Sequence, residues 1–306
     1  STWLDIIKGV PQGSILGPAL FNCFINDLLF VIKSSKLTNF ADDNTISASG
    51  KNVSVLKKSL QDDSQHALDW FEINDMQANP KKFQAICFGK PDTPLQINLN
   101  NDIPLAFQDS VKLLGIHIDS KLNFSEHVAS ICRKAGRQLN ALRRLSNVLN
   151  LKSKMCIFQS FIRSNFLYCP LVWHQCGKQN TQKLEKLQER GLRFIFNDYK
   201  SPYSALLKRA KLPSLFHWRL QVLATETYKA VNNISPEYIQ NLFIKKSTEY
   251  QLRDPHRLET HLHHTIKYGT NFISHEGAML WNRLPVHIKE SKSVSDFKRN
   301  ISTFNF

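Results

Sequence analysis

Near residue 120 the apolar residues of this chain change period, and that change limits what it can fold into. Upstream, short apolar runs alternate with turn clusters and a few helical stretches, which is an α+β pattern. Downstream, apolar residues recur at three- and four-residue spacing, as in a mainly helical region. The overall expectation is an α+β fold, a short antiparallel sheet with packed helices followed by a helical remainder.

The local signals are specific. Pro18 suits the first position of a helix reaching to about Ile32, with Leu20, Phe24, Leu28 and Ile32 as its apolar stripe. Lys36–Phe40 and Thr45–Ala48 read as two strands with a turn at Ala41–Asn44. Asn52 can cap a helix running to about Asn74, with Val53, Leu56, Leu60, Ala67 and Phe71 at helical spacing. Phe83–Phe88 reads as a strand, Pro91–Gln108 as a turn-rich β excursion around Ile97 and Leu99, and Val111–Ile118 as a further strand. Helices are then predicted at Glu126–Leu149, Lys152–Leu167, Thr181–Phe196, Pro202–Arg209, Phe216–Asn232 and Ser295–Phe304. Residues 245–292, rich in His, Lys and Ser, read as looser.

Charge follows the same division. Net charge is +15, yet residues 1–90 hold nine Lys/Arg and nine Asp/Glu. Residues 126–211 hold 17 bases against four acids. A neutral part joined to a basic one suits a protein that holds nucleic acid; a solubilising basic surface is the alternative. The predicted helix over 126–149 places Arg133, Lys134, Arg137, Arg143 and Arg144 mostly off its apolar face, where they could meet phosphates. The aromatic run Phe158, Phe161, Phe166, Tyr168 and Trp173 could stack bases, but at this spacing core is the better reading.

Six scattered cysteines lack framework spacing, as in a reduced intracellular protein. Cys169, His174 and Cys176 offer zinc donors without an evident fourth, so buried thiols beside Trp173 are the better reading. His261, His263 and His264 read as a polar strand or loop. No apolar run is long enough to span a bilayer, so no membrane partner is expected; nucleus and cytoplasm are not distinguished.

Two motifs carry chemistry. Gly9-Val10-Pro11-Gln12-Gly13-Ser14-Ile15-Leu16-Gly17-Pro18 is followed about 30 residues later by Phe40-Ala41-Asp42-Asp43. Neighbouring carboxylates at a strand turn can hold a divalent metal against a triphosphate, although Asp-Asp also serves ordinary turns. Gly13 would let backbone approach a nucleotide or template, and Gln12 offers both a donor and an acceptor.

In this order and spacing the two motifs resemble the reverse transcriptase of non-LTR (LINE-type) retrotransposons. The resemblance continues through Trp70–Lys82 with its Asn79-x-x-Lys82, and through Val111–Asp119, which looks like the strand pair that grips a primer end. It extends to Tyr168–Trp173, Cys176-Gly177-Lys178, Lys183–Gln188, Leu280-Trp281-Asn282-Arg283-Leu284-Pro285 and Phe297-Lys298. It implies a partial polymerase palm over 1–120, a basic thumb-like region over 121–210 and a C-terminal region over 211–306.

It also implies RNA-directed DNA polymerase activity. Asp42 would be a ligand for Mg²⁺ (or Mn²⁺), with Asp43 beside it as ligand or electrostatic support. Gln12, Gly13, Phe40 and Lys82 would meet substrate, Lys82 at the leaving pyrophosphate. Lys112 and the basic helix would meet nucleic acid. The partners implied are an RNA template, a DNA primer or their hybrid, and deoxynucleoside triphosphates. The family's further metal-binding Asp stands upstream of the Gly-Val-Pro-Gln-Gly segment, where Asp5 is too close to play the part. The expectation is therefore a portion inactive by itself, completed by an N-terminal part of the same polyprotein. The competing expectation is a non-catalytic nucleic-acid-binding remnant.

Overall fold

The computed structural model describes residues 9–11, 13–89, 95–99, 103–246, 254–260, 272–304 and 306. The chain divides into two compact units, residues 1–122 and 123–306. Helices and small sheets are mixed, an α+β fold.

In the first unit, helix α1 (Gly17–Ile25) holds the expected proline, Pro18, in its first turn. It does not run to Ile32 as an α-helix: it tightens into a 3-10 segment over Asn26–Val31, and Ile32 is extended. Nor is the apolar stripe the one the spacing predicts. Leu20 and Phe24 are exposed, whereas Phe21, Ile25 and Leu28 face the core. Strands β1 (Lys36–Phe40) and β2 (Asp43–Ser47) form an antiparallel hairpin that pairs Phe40 with Asp43 and Leu37 with Ile46.

Helix α2 (Val53–Ile73) is capped as expected, the Asn52 side chain accepting from the amides of Ser54 and Val55 at 3.0 and 3.2 Å. Ala67 and Trp70 of this helix close a small core with Ile25 and Leu28, and Leu37 and Ile46 pack against it. The pairing Leu37–Ile46 therefore faces α2, and the pleat turns Phe40 and Asp43 to the opposite face.

The expected strand at Phe83–Phe88 is only β3 (Ala85–Ile86). Its Gln84 side chain is used to accept the Lys112 amide at 2.8 Å. Strand β4 (Gln96–Leu99), with Ile97 and Leu99 buried, pairs antiparallel to β5 (Ile103–Gln108), which also pairs parallel to β3. The run Val111–Ile118, one strand by its own pattern and a strand pair by the resemblance, is a hairpin of β6 (Ser110–Leu113) and β7 (Ile116–Asp119). Leu114 and Gly115 both take positive φ, 46° and 86°, which suits a two-residue hairpin turn.

The second unit is helical. Helix α3 (Ser125–Arg144) buries Val128, Ile131, Ala135, Leu139 and Leu142, while Leu145, expected on this stripe, lies beyond its end and is exposed. Helix α4 (Leu151–Ile157) runs through a π-helical turn over Phe158–Arg163 into α5 (Ser164–Leu167). Helix α6 (Lys178–Phe196) brings Gly191 so near Phe158 that a Cβ there would lie 2.3 Å from the ring. Helices α7 (Tyr203–Ala210) and α8 (Leu215–Val231) follow, then short α9 (Glu237–Gln240).

Residues 273–289 correct the expectation of a looser stretch. They form α10 (Ile273–Arg283) and α11 (Val286–Lys289), followed by α12 (Val294–Ser302). The Leu-Trp-Asn-Arg-Leu-Pro motif gives this end its core. Trp281 is buried and donates to the His256 carbonyl at 2.6 Å. Asn282 clamps the backbone of Leu258 by a donated and an accepted bond, both 2.9 Å. Lys289, buried, pairs with Asp254 and lies over the Trp281 ring.

Candidate active site

The β1–β2 hairpin presents the paired acids. Ala41 and Asp42 form its two-residue tip, and Asp43 opens the returning strand beside Phe40. Ala41 adopts a left-handed φ of 51°, which costs a residue with a Cβ about 1 kcal/mol. Asp42 and Asp43 are exposed, and among the described residues neither carboxylate is taken by a hydrogen bond or ion pair. Phe40 is 65% exposed, so its ring is a surface feature of the hairpin. Two free, hard carboxylates beside each other fit part of the shell of Mg²⁺, which accepts waters and phosphate oxygens for the rest. No group of three or more His, Cys, Asp or Glu placed to share a metal occurs among the described residues.

What holds this hairpin is a carboxylate that the sequence does not advertise. Asp63 of α2 is buried, and its two oxygens accept the amides of Lys33, Ser34 and Ser35 at 3.0, 2.9 and 2.6 Å. Burial pushes its pKa up, yet the bonds to Lys33, Ser34 and Ser35 together hold it below the usual carboxylate range. The segment leading into β1 is thereby fixed to the helix behind the hairpin. On a helix, an acid reads from sequence as a solvated side chain.

The other expected site residues are distributed along the first unit. Gln12 lies outside the described residues. Gly13 is exposed with φ of 85°, a conformation that favours glycine, and a Cβ there would meet open space. Lys82 is exposed at the end of a 3-10 turn over Pro80–Lys82. Asn79, three residues before it, caps that turn by accepting the Lys81 amide at 3.1 Å. Lys112 is exposed on β6.

On α3, Arg133, Lys134, Arg137 and Arg144 are exposed. Helical geometry puts Arg133, Arg137 and Arg144 on one face, spanning about 16 Å. Arg143 departs from this set: it is half-buried, its guanidinium 5.7 Å from the Phe194 ring. The aromatic run divides too. Phe158, Phe166 and Trp173 are fully buried, whereas Phe161 and Tyr168 are exposed.

Cys169 is exposed, and Cys176 and His174 are buried, so the three do not gather into a metal site. His174 instead joins a buried chain. Its Nε2 lies 3.1 Å from Glu276, and its Nδ1 accepts from Arg219 at 3.3 Å. Arg219, fully buried, also donates to Thr181 at 3.2 Å and lies 5.1 Å from the Trp173 ring. Burial lowers its pKa, and raises that of the Cys176 thiol. Burial would also push Glu276 up, but His174, Gln175 and Arg219 hold it below its usual range. These residues join the Tyr-Cys-Pro-Leu-Val-Trp segment to α8 and α10.

Residues 2–118 match the model of the reverse transcriptase (RNA-dependent DNA polymerase) family. Over 203 residues the chain is 25% identical to the probable RNA-directed DNA polymerase from transposon X-element of Drosophila melanogaster, covering 64% of this chain and 22% of that one. Against the probable RNA-directed DNA polymerase from transposon BS of the same species it is 28% identical, covering 61% and 22%. For the RNA-directed DNA polymerase from mobile element jockey, also of Drosophila melanogaster, it is 27% identical, covering 62% and 22%. Residues 2–118 are thus similar to the reverse transcriptase family, and the chain spans about a fifth of the length of these curated relatives. No solved structure matches it. No helix among the described residues is long and apolar enough to cross a membrane.

Proposed function

We propose that this chain is part of the RNA-directed DNA polymerase of a LINE-type retrotransposon. The hairpin tip of the first unit supplies two ligands of a two-metal nucleotidyl-transfer site. The observation that carries the reading is the unengaged, exposed pair Asp42–Asp43 on a hairpin within the region that matches the reverse transcriptase family. Divalent metal, when bound, would activate a primer 3′-hydroxyl and stabilise the departing pyrophosphate. Asp42 and Asp43 would hold it. The exposed ring of Phe40, beside Asp43 in the hairpin pairing, would lie under the primer-end sugar. Gln12 and Gly13 would line the nucleotide and template side, and Lys82 would offset charge on the pyrophosphate. Lys112, with Arg133, Lys134, Arg137 and Arg144, would contact backbone phosphates of the template–primer hybrid independently of sequence.

A two-metal centre needs more acid than this pair, and a third carboxylate would come from another part of the polymerase. The test is primer extension on an RNA template with Mg²⁺. The 306-residue chain alone should extend nothing, whereas a longer polymerase that contains it should extend the primer. D42A in that longer enzyme should cut the rate at least about a hundredfold. Equal rates with and without Asp42 would overturn the assignment.

A further inference from the structure

The second unit contains an open groove of about 560 Å³ between the start of α4, the end of α6 and the end of α7. Its walls carry Lys152, Arg209 and Lys211, all exposed, and no acid is among the residues that line it. Its floor is apolar, made by Leu151, Met155 and Phe196. The Arg209 guanidinium lies over Phe196, 4.4 Å from the ring centroid, a cation–π contact that restrains it. Asp198 is near enough to Arg209 to feel its charge, but its carboxylate is held by the amides of Lys200 and Ser201 at 3.2 and 3.0 Å. The three cations are therefore not matched by an anion within the groove.

We propose that this groove binds single-stranded nucleic acid, with phosphates on Lys152, Arg209 and Lys211 and base faces against Leu151 and Met155. A duplex presents phosphates outward and keeps its bases stacked inside, so it would leave the apolar floor uncovered. A single strand supplies both an anionic backbone and flat apolar faces, which is what a cationic rim around an apolar floor accepts. The site belongs to the second unit, and does not depend on the reading of Asp42 and Asp43.

The test is fluorescence anisotropy with the full chain and a labelled 20-nucleotide single strand, binding being read without polymerisation. Replacing all three cations (K152A, R209A, K211A) should weaken binding at least about tenfold and lower the salt slope by about 2, as three lost phosphate contacts require. An abasic strand with the same phosphates should bind the unaltered chain about tenfold more weakly, since stacking is lost. If the triple variant melts lower, K152A and K211A taken singly should each move affinity and slope in the same direction. Unchanged affinity in these variants, equal binding of the abasic strand, or equal competition by an acidic peptide would overturn the proposal. A failed primer extension would bear only on the polymerase site.

Discussion

The two units differ in what completes them. The first carries 11 Lys/Arg against 13 Asp/Glu, the second 29 against 12. The first builds its sheets from two or three short strands, and among the described residues β1 and β2 pair only with each other. Its described surface exposes Ile15, Leu16, Leu20, Phe30, Phe40 and Ile73, and its tightest cluster is only Ile25, Leu28, Ala67 and Trp70. The second unit buries Phe158, Phe166, Trp173, Trp281 and Phe297 outright and has no sheet in its described part. The lesson is that the unit with the paired acids is the less self-sufficient one. Two-stranded hairpins are marginal alone, and open edges with exposed apolar residues call for a neighbour.

That contrast can be broken most forcefully at Trp281. Replacing it with Ala removes the largest buried ring of the C-terminal core together with its bond to His256, and should cost about 3–5 kcal/mol in urea unfolding of the second unit. The first unit should keep its own transition; a shared loss would show that the units unfold as one. Next comes Asp63→Ala, which strands the amides of Lys33, Ser34 and Ser35 and should destabilise the first unit by about 3 kcal/mol. Gly191→Ala should cost about 1–2 kcal/mol, because Phe158 has no exposed side to move into.

A smaller effect is pH-dependent. The folded pKa of Asp63 lies below its unfolded value of 3.8, so the stability it gives is complete above that value. It is lost as pH falls through the folded pKa. Acid unfolding of the first unit should therefore steepen below about pH 4, and D63N should flatten it. An unchanged acid limb in that variant would remove Asp63 from the account.

The least effect on stability, and the sharpest on charge, comes from α3. Replacing Arg133, Arg137 and Arg144 with Ala should leave urea midpoints nearly unchanged. The salt slope for a template–primer hybrid should fall by about 2.7. Arg143→Ala should do the reverse, lowering stability slightly through the lost Phe194 contact while sparing the slope.

Legibility followed the range of the interaction. Asn52 and the apolar spacing of α2 gave that helix nearly to the residue, because a cap and its amides are two or three positions apart. Without such a cap the bounds drift: α3 ends at Arg144, short of the expected Leu149, and α6 begins at Lys178, ahead of the expected Thr181. Residues 273–283 escaped notice because their helix relies on distant partners: Gly277 fits against Phe243 and Thr227, where a Cβ would lie 2.8 Å from each. The apolar run Phe83–Phe88 yields a shorter strand than its pattern suggests, since among the described residues it pairs with β5 alone, over two residues. At the site, the acids and their turn were visible locally. Asp63, which anchors the approach to them, and the stacking that withdraws Arg143 were not.

By itself, then, the sequence determined where most of the helices start, where the chain reverses beside Asp42 and Asp43, and on which part the positive charge collects. Each of these depends on neighbours within a few positions. The tertiary structure alone decided which acid is buried, which arginine is stacked, and that Lys152, Arg209 and Lys211 share one groove. Those outcomes join residues tens of positions apart, and burial and charge act through space rather than along the chain.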